Sequence, residues 1–175
     1  MGGTNPSQNR IRGIFIMKLY RIGPKIYLEN YQGLGASYRD GGRWNRVGQP
    51  VLYFAQSPAT ALLEMGNYLP SPRLTPKNYQ LGIYKLPDDL ALDQISCDQL
   101  IDDWAQFPYP SSTQDIGGKW LDLNQSIGLI VPSAAVPAGL EKNILINPKH
   151  KDISHLKLIE STEELYNHRI FSGLK

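Results

Sequence analysis

Gly41-Gly42-Arg43-Trp44-Asn45, the apolar run Val51-Leu52-Tyr53-Phe54-Ala55 and the segment Ser57-Pro58-Ala59-Thr60-Ala61-Leu62-Leu63-Glu64 read as a glycine turn, a buried strand and a capped helix. Ser57 is a natural N-cap and Pro58 a natural first helical residue, and Gly66-Asn67 offers a stop. Glu64 therefore falls in the last turn, where a carboxylate meets the negative end of the helix dipole at a cost of a few tenths to about 1 kcal/mol. Helical spacing puts Ala59, Leu62 and Leu63 on the expected buried stripe. Glu64 projects from the flank with Thr60, Ala61 and Tyr68. Charged residues are mostly exposed, so Arg43 and Glu64 could be a solvated turn residue and a solvated helix charge. A carboxylate set against its local electrostatics, on an element that must pack, points instead to a pocket.

Outward from this stretch the chain reads as short, mixed elements. Lys18 to Ile22 and Tyr79 to Leu86 alternate as strands, the second stopped by Pro87. Ile127 to Val131, Asn143 to Asn147 and Leu156 to Ile159 are further β-rich runs. The segment Tyr27 to Tyr38, punctuated by glycine, is expected to lay aromatics over the core. Leu69 to Lys77 and Phe107 to Ser112 carry several prolines and read as loops. Ser96 and Gln99 have capping-box spacing before Leu100, Ile101 and Trp104, which predicts a helix there. A further helix is expected over Gln114 to Asn124, weakened by Gly117-Gly118, and another after Ser161 and Glu164. Helices and strands do not alternate regularly, so the fold class is α+β, a mixed and largely antiparallel sheet with flanking helices.

The chain has 175 residues and a formal net charge of +2, enough for one core and too little charge to argue for nucleic acid. Residues 1–16 are expected to be a disordered extension and 17–175 a single domain. No apolar run approaches the roughly 20 residues of a membrane span, and the short Ile14-Phe15-Ile16-Met17 is not a secretory signal. With Cys97 the one cysteine, the expected location is the cytoplasm. His150, His155, His168 and Cys97 lack zinc-ligand spacing, so no metal is expected. Neither a nucleophile elbow nor a phosphate loop is present.

Several motifs in order resemble the RES domain, the toxin half of bacterial toxin–antitoxin pairs whose partner carries an Xre-type helix-turn-helix. They are Tyr20-Arg21, Gly42-Arg43-Trp44-Asn45, Leu52-Tyr53 with Ala55, Ala61-Leu62-Leu63-Glu64, Val131-Pro132-Ser133 and Asn143-Ile144-Leu145-Ile146-Asn147-Pro148. The resemblance runs from about residue 18 to about 165. It implies an ADP-ribosyltransferase-like fold that consumes NAD as substrate and needs no cofactor. It also implies an antitoxin partner; the small net charge and the lack of a long apolar run leave no direct contact to nucleic acid or membrane expected. The family's arginine, glutamate and serine fall at Arg43, Glu64 and Ser133.

The residue types suit that chemistry. Cleaving the nicotinamide–ribose bond passes through an oxocarbenium-like state, which a carboxylate such as Glu64 stabilises. An arginine matches a diphosphate in bidentate geometry. Glu64, Arg43 and Tyr53 are therefore the expected catalytic set. Arg21, Tyr20, Trp44, Ser133, Asn143 and Asn147 are the expected NAD contacts. The acceptor is water or phosphate. One alternative is ADP-ribosylation of a side chain on a host metabolic enzyme; another is an inert partner-binding domain, disfavoured because Arg43 and Glu64 are both present.

Overall fold

In a computed structural model the described residues are 16–69, 74–167 and 169; the expected extension lies outside them except for Ile16. Strand β1 runs Ile16–Pro24, followed by a five-residue helix α1, Ala36–Asp40. Then come β2 (Leu52–Ala55), α2 (Pro58–Gly66), β3 (Tyr79–Pro87) and β4 (Leu92–Gln94). Helix α3 (Ser111–Leu123) precedes β5 (Gly128–Pro132), β6 (Lys142–Ile146) and β7 (Lys157–Thr162). The seven strands form one sheet in the order β4-β5-β6-β2-β1-β3-β7. Only the β4–β5 pair is parallel. This is the mixed, largely antiparallel α+β class read from the sequence.

Strand alternation divides the core between the two faces of the sheet. Leu19, Leu52, Phe54, Tyr84, Ile144 and Ile146 pack on one face, where Tyr31 meets the Tyr84 ring edge-on at 6.4 Å. The aromatic covering expected of residues 27–38 is supplied there by Tyr31. The Tyr84 hydroxyl is sealed on the same side by donating to the Leu28 carbonyl oxygen, 2.7 Å away. The other face carries two smaller clusters. Trp44, Val51, Trp120, Leu129, Val131 and Leu145 pack together, and Ala55, Ala61 and Leu81 form the second. Helices α2 and α3 cover this face.

Three sequence expectations change. The buried side of α2 is Thr60 and Ala61, whereas Leu63 is 53 % exposed and Ala59 is exposed too. Small residues win this face because α2 must lie close against Ala55, and the Thr60 hydroxyl is satisfied by donating to Glu141 Oε2 at 2.9 Å. The flank that carries Glu64 is thus the inward face. The capping box at Ser96 and Gln99 forms, yet it starts only a single 3-10 turn, Cys97–Gln99, and Leu100 is already extended. Among the described residues no helix follows Ser161: that residue pairs with Gly82 inside β7 and its hydroxyl donates to Gln80 Oε1 at 2.7 Å. Sheet pairing overrides the local cap signal, and residues 163–167 are not helical.

Gly117-Gly118 proves to be a packing feature and not a weak point. Helix α3 begins three residues earlier than expected and ends on Asn124, left-handed at φ 48°. A Cβ on Gly117 would run into the Trp44 carbonyl group. One on Gly118 would first meet the Gln49 side-chain amide, at 3.0 Å. Alanine is intrinsically better in a helix by about 1 kcal/mol, so the two glycines separate packing from propensity. Gly117→Ala should destabilise by about 1–3 kcal/mol through overpacking, whereas Gly118→Ala should be neutral or stabilising. Paired denaturant melts check this, and equal midpoints for the two variants would refute the close approach.

Candidate active site

The site grows from the α2 start. Ser57 accepts from the Thr60 amide at 3.1 Å, and Thr60, one turn before Glu64, is tied to Glu141. This fixes the rotation of the helix and aims Glu64 across the sheet. Two donors meet it there. Ser133, just beyond β5 and fully buried, donates from Oγ to Glu64 Oε1 at 2.7 Å while accepting from the Ala135 amide at 3.2 Å. Asn143, on β6 between its partners Ala55 and Val131, donates from Nδ2 to the same oxygen at 2.5 Å. Asn67 Nδ2 reaches Oε2 at 3.4 Å. Charge-assisted hydrogen bonds of this kind are roughly twice as strong as neutral ones, which offsets the unfavourable end of the helix.

Arg43 stands near this carboxylate without bonding to it. Its Nη1 donates to the carbonyl oxygens of Trp104 and Gln106, at 2.5 and 2.9 Å, and its guanidinium carbon lies 5.1 Å from the Tyr109 ring centre. Desolvation lowers the Arg43 pKa, opposed by the electrostatic pull of Tyr109, Glu64, Tyr68 and Tyr53; arginine keeps its charge regardless. The turn carrying Arg43 is braced by Tyr53, whose hydroxyl donates to Asn45 Oδ1 at 2.7 Å and accepts from the Trp44 amide at 3.1 Å. Gly42 allows this, since a Cβ there would strike the Asn45 and Tyr53 side chains. Across the mouth the Tyr68 and Tyr109 hydroxyls stand 3.4 Å apart.

Residues 18–167 match the RES domain family. The chain belongs to it. It is 38% identical over 138 residues to the protein named Toxin Res from Photorhabdus laumondii, covering 78% of this chain and 85% of that one. It is 35% identical over 144 residues to a Sphingobium protein named Prs ADP-ribosylating toxin, covering 81% and 87%. In fold it resembles a chain of the Mycobacterium tuberculosis MbcT–MbcA toxin–antitoxin complex, with a TM-score of 0.67 at 22% identity over 85% of this chain and 84% of that one.

Within this RES domain, Glu64, Ser133, Asn143, Arg43 and Tyr53 come together, and the other expected contacts do not join them. Trp44 is a core residue, 2 % exposed. Asn147 donates to the Leu121 carbonyl and to Asn124 Oδ1, and its Oδ1 accepts from the Lys149 amide; it fastens the end of α3. Tyr20 packs with Ala55 and Ala61 beneath α2. Arg21, one residue on, falls on the opposite face with Leu19 and opposite Gly82. Burial lowers its pKa, countered by Tyr84 and Tyr31, and its Nη1 is buried without a hydrogen-bond partner. Tyr109 and Tyr68 were not read as site residues from the sequence. The available signals were an aromatic set between Pro108 and Pro110, and a tyrosine one turn after Glu64.

Burial pushes the Tyr53 phenol up from its ordinary pKa, opposed by the hydrogen bond from Trp44. Its folded-state pKa therefore lies above the unfolded value of about 10. The stability this confers is complete below that pH and is lost as pH rises, because the unfolded chain gives up the proton first. Tyr53→Phe, which also strands Asn45 Oδ1 and the Trp44 amide, should cost about 1–3 kcal/mol at neutral pH. It should also flatten the fall of stability above about pH 10, as read by urea melts along a pH series. An unchanged alkaline slope would remove Tyr53 as the buried phenol responsible.

Proposed function

We propose that this RES domain is the toxin of a toxin–antitoxin pair and that it consumes NAD by cleaving the nicotinamide–ribose bond, with water or phosphate as acceptor. The observation that carries the reading is the Glu64 carboxylate, aimed across the sheet and held at one oxygen by Ser133 and Asn143. A carboxylate fixed in this way is organised before any substrate arrives. It stabilises positive charge that develops at the ribose in the transition state, where electrostatic preorganisation contributes most.

The bond that breaks joins the ribose anomeric carbon to the ring nitrogen of a cationic nicotinamide. Its electron pair leaves with the ring, which becomes neutral, so no general acid is required. An oxygen of water or phosphate then bonds to the anomeric carbon of the oxocarbenium-like species; with water, a proton is released to solvent. The relatives named Toxin Res and the fold shared with a chain of a toxin–antitoxin complex support the toxin role. On this reading a partner, of the Xre helix-turn-helix type, silences the enzyme in the cytoplasm that supplies its NAD.

A second reading is favoured by one observation, the name of the Sphingobium relative. In it the same site passes ADP-ribose to a protein side chain instead of water or phosphate. Incubating purified protein with NAD, with and without phosphate, and weighing the products separates ADP-ribose, its phosphorylated form and a modified protein. Glu64→Gln should lower turnover by about 10²–10³ while leaving NAD binding within a few fold. Full turnover in that variant would reject Glu64 as the charge-stabilising group.

A further inference from the structure

A positively charged group in a site for a dinucleotide would ordinarily be assigned to its phosphates. Arg43 is placed differently. One of its nitrogens is already shared between two main-chain carbonyls 61 and 63 residues away, at Trp104 and Gln106. Its plane lies near the face of Tyr109. The sequence explains why those carbonyls are free. In a helix the Trp104 and Gln106 oxygens would accept from the amides four residues on, and those positions are Pro108 and Pro110, which have none. The segment instead makes two short turns, Trp104 N to Ile101 O at 3.0 Å and Gln106 N to Asp103 O at 2.9 Å, and turns its carbonyls to the guanidinium. Phe107 meets the Tyr109 ring edge-on, centres 5.2 Å apart, and the Tyr68 hydroxyl faces that of Tyr109.

We propose that Arg43 is a positioning residue: it fastens the 101–110 segment across the site mouth, and Tyr109, held by it and faced by Tyr68, is the aromatic wall that selects a substrate with a flat ring. The substrate part rests on the NAD reading above; the fastening does not. Tyr109 is only partly covered and Tyr68 is 70 % exposed, so both rings are within reach of a ligand entering over Glu64. Aromatic walls of this kind favour planar rings by offset stacking, and a guanidinium behind the ring makes its position rigid at little entropic cost.

Two measurements test this with the whole chain. Amide exchange at Trp104 and Gln106 reports the fastening, and in Arg43→Ala it should rise about tenfold or more. Unchanged exchange overturns the proposal whatever the substrate is. Dissociation constants for NAD and for nicotinamide riboside, which has no phosphate, report the wall. Arg43→Ala and Tyr109→Ala should each weaken both ligands by about tenfold, the double variant should be no worse than either, and Tyr109→Phe should stay within about twofold of wild type. These losses should raise KM more than they lower kcat and should vary little with salt. Additive losses, confined to NAD and shrinking as salt rises, would make Arg43 a phosphate ligand and overturn the proposal. Absence of any NAD binding or turnover in the wild-type protein would instead reject the NAD reading, with the fastening still decided by amide exchange.

Discussion

The constraint on which the site depends is that Glu64 faces inward at the wrong end of a short helix. A carboxylate there must find donors, because leaving a charged group half-buried and unsatisfied costs more than any single contact on α2 returns. Its two strong donors come from adjacent elements, Ser133 at the end of β5 and Asn143 on β6, whose neighbour across the ladder is Val131. Both must therefore be in register with β2, where Ala55 sits opposite Asn143. A slip of one residue in β6 would turn Asn143 to the apolar face among Leu19, Phe54 and Tyr84 and bring Ile144 to Glu64. The polar site and the order β5-β6-β2 thus enforce each other.

The same logic explains why small side chains line the approach. Thr60, Ala61 and Ala55 let α2 come close enough for Glu64 to reach β6. Gly117 lets α3 lie on the Trp44 backbone, which together with Tyr53 holds the turn bearing Arg43. On the opposite face Tyr84, Phe54, Leu86 and Ile146 fill the larger cluster. The site face also buries bulk, at Trp44 and Trp120 under α3, and keeps small residues where α2 and α3 approach most closely.

Much of this was legible in the chain. The turn, β2 and capped α2 follow from local rules, because glycine admits the positive φ of the turn, serine caps a helix start and proline suits its first turn. Glu64, Arg43, Tyr53, Ser133 and Asn143 were visible through ordered motifs, and they converge. What local reading could not supply was which neighbour each residue would meet. The stripe of Ala59, Leu62 and Leu63 is the more hydrophobic face of α2, yet proximity to the sheet selects Thr60 and Ala61. Ser96 and Ser161 are sound caps by spacing, and long-range pairing outweighs them. Arg21 follows Tyr20 directly, and in a strand that alone sends it to the other face. Tyr109 is brought beside Arg43 by its flanking prolines, since Pro108 and Pro110 have no amides to take up the Trp104 and Gln106 carbonyls, which turn to the guanidinium instead.

Arg43 and Glu64 feel each other's charge, since Glu64 raises the arginine pKa, yet no salt bridge between them is found among the described residues. Each is held by neutral groups instead: carbonyls and a phenol ring for the cation, a hydroxyl and amides for the anion. A direct pair would satisfy both and leave little for a substrate, because separating a desolvated ion pair costs several kcal/mol. Neutral partners orient a charge without cancelling its field, and in a partly dry site that field acts at short range with little screening. Ser133 and Asn143 grip the same Glu64 oxygen, so the second oxygen, held only loosely by Asn67 at 3.4 Å, is the less constrained face of the carboxylate, and on the proposed reading it is the one that meets developing positive charge.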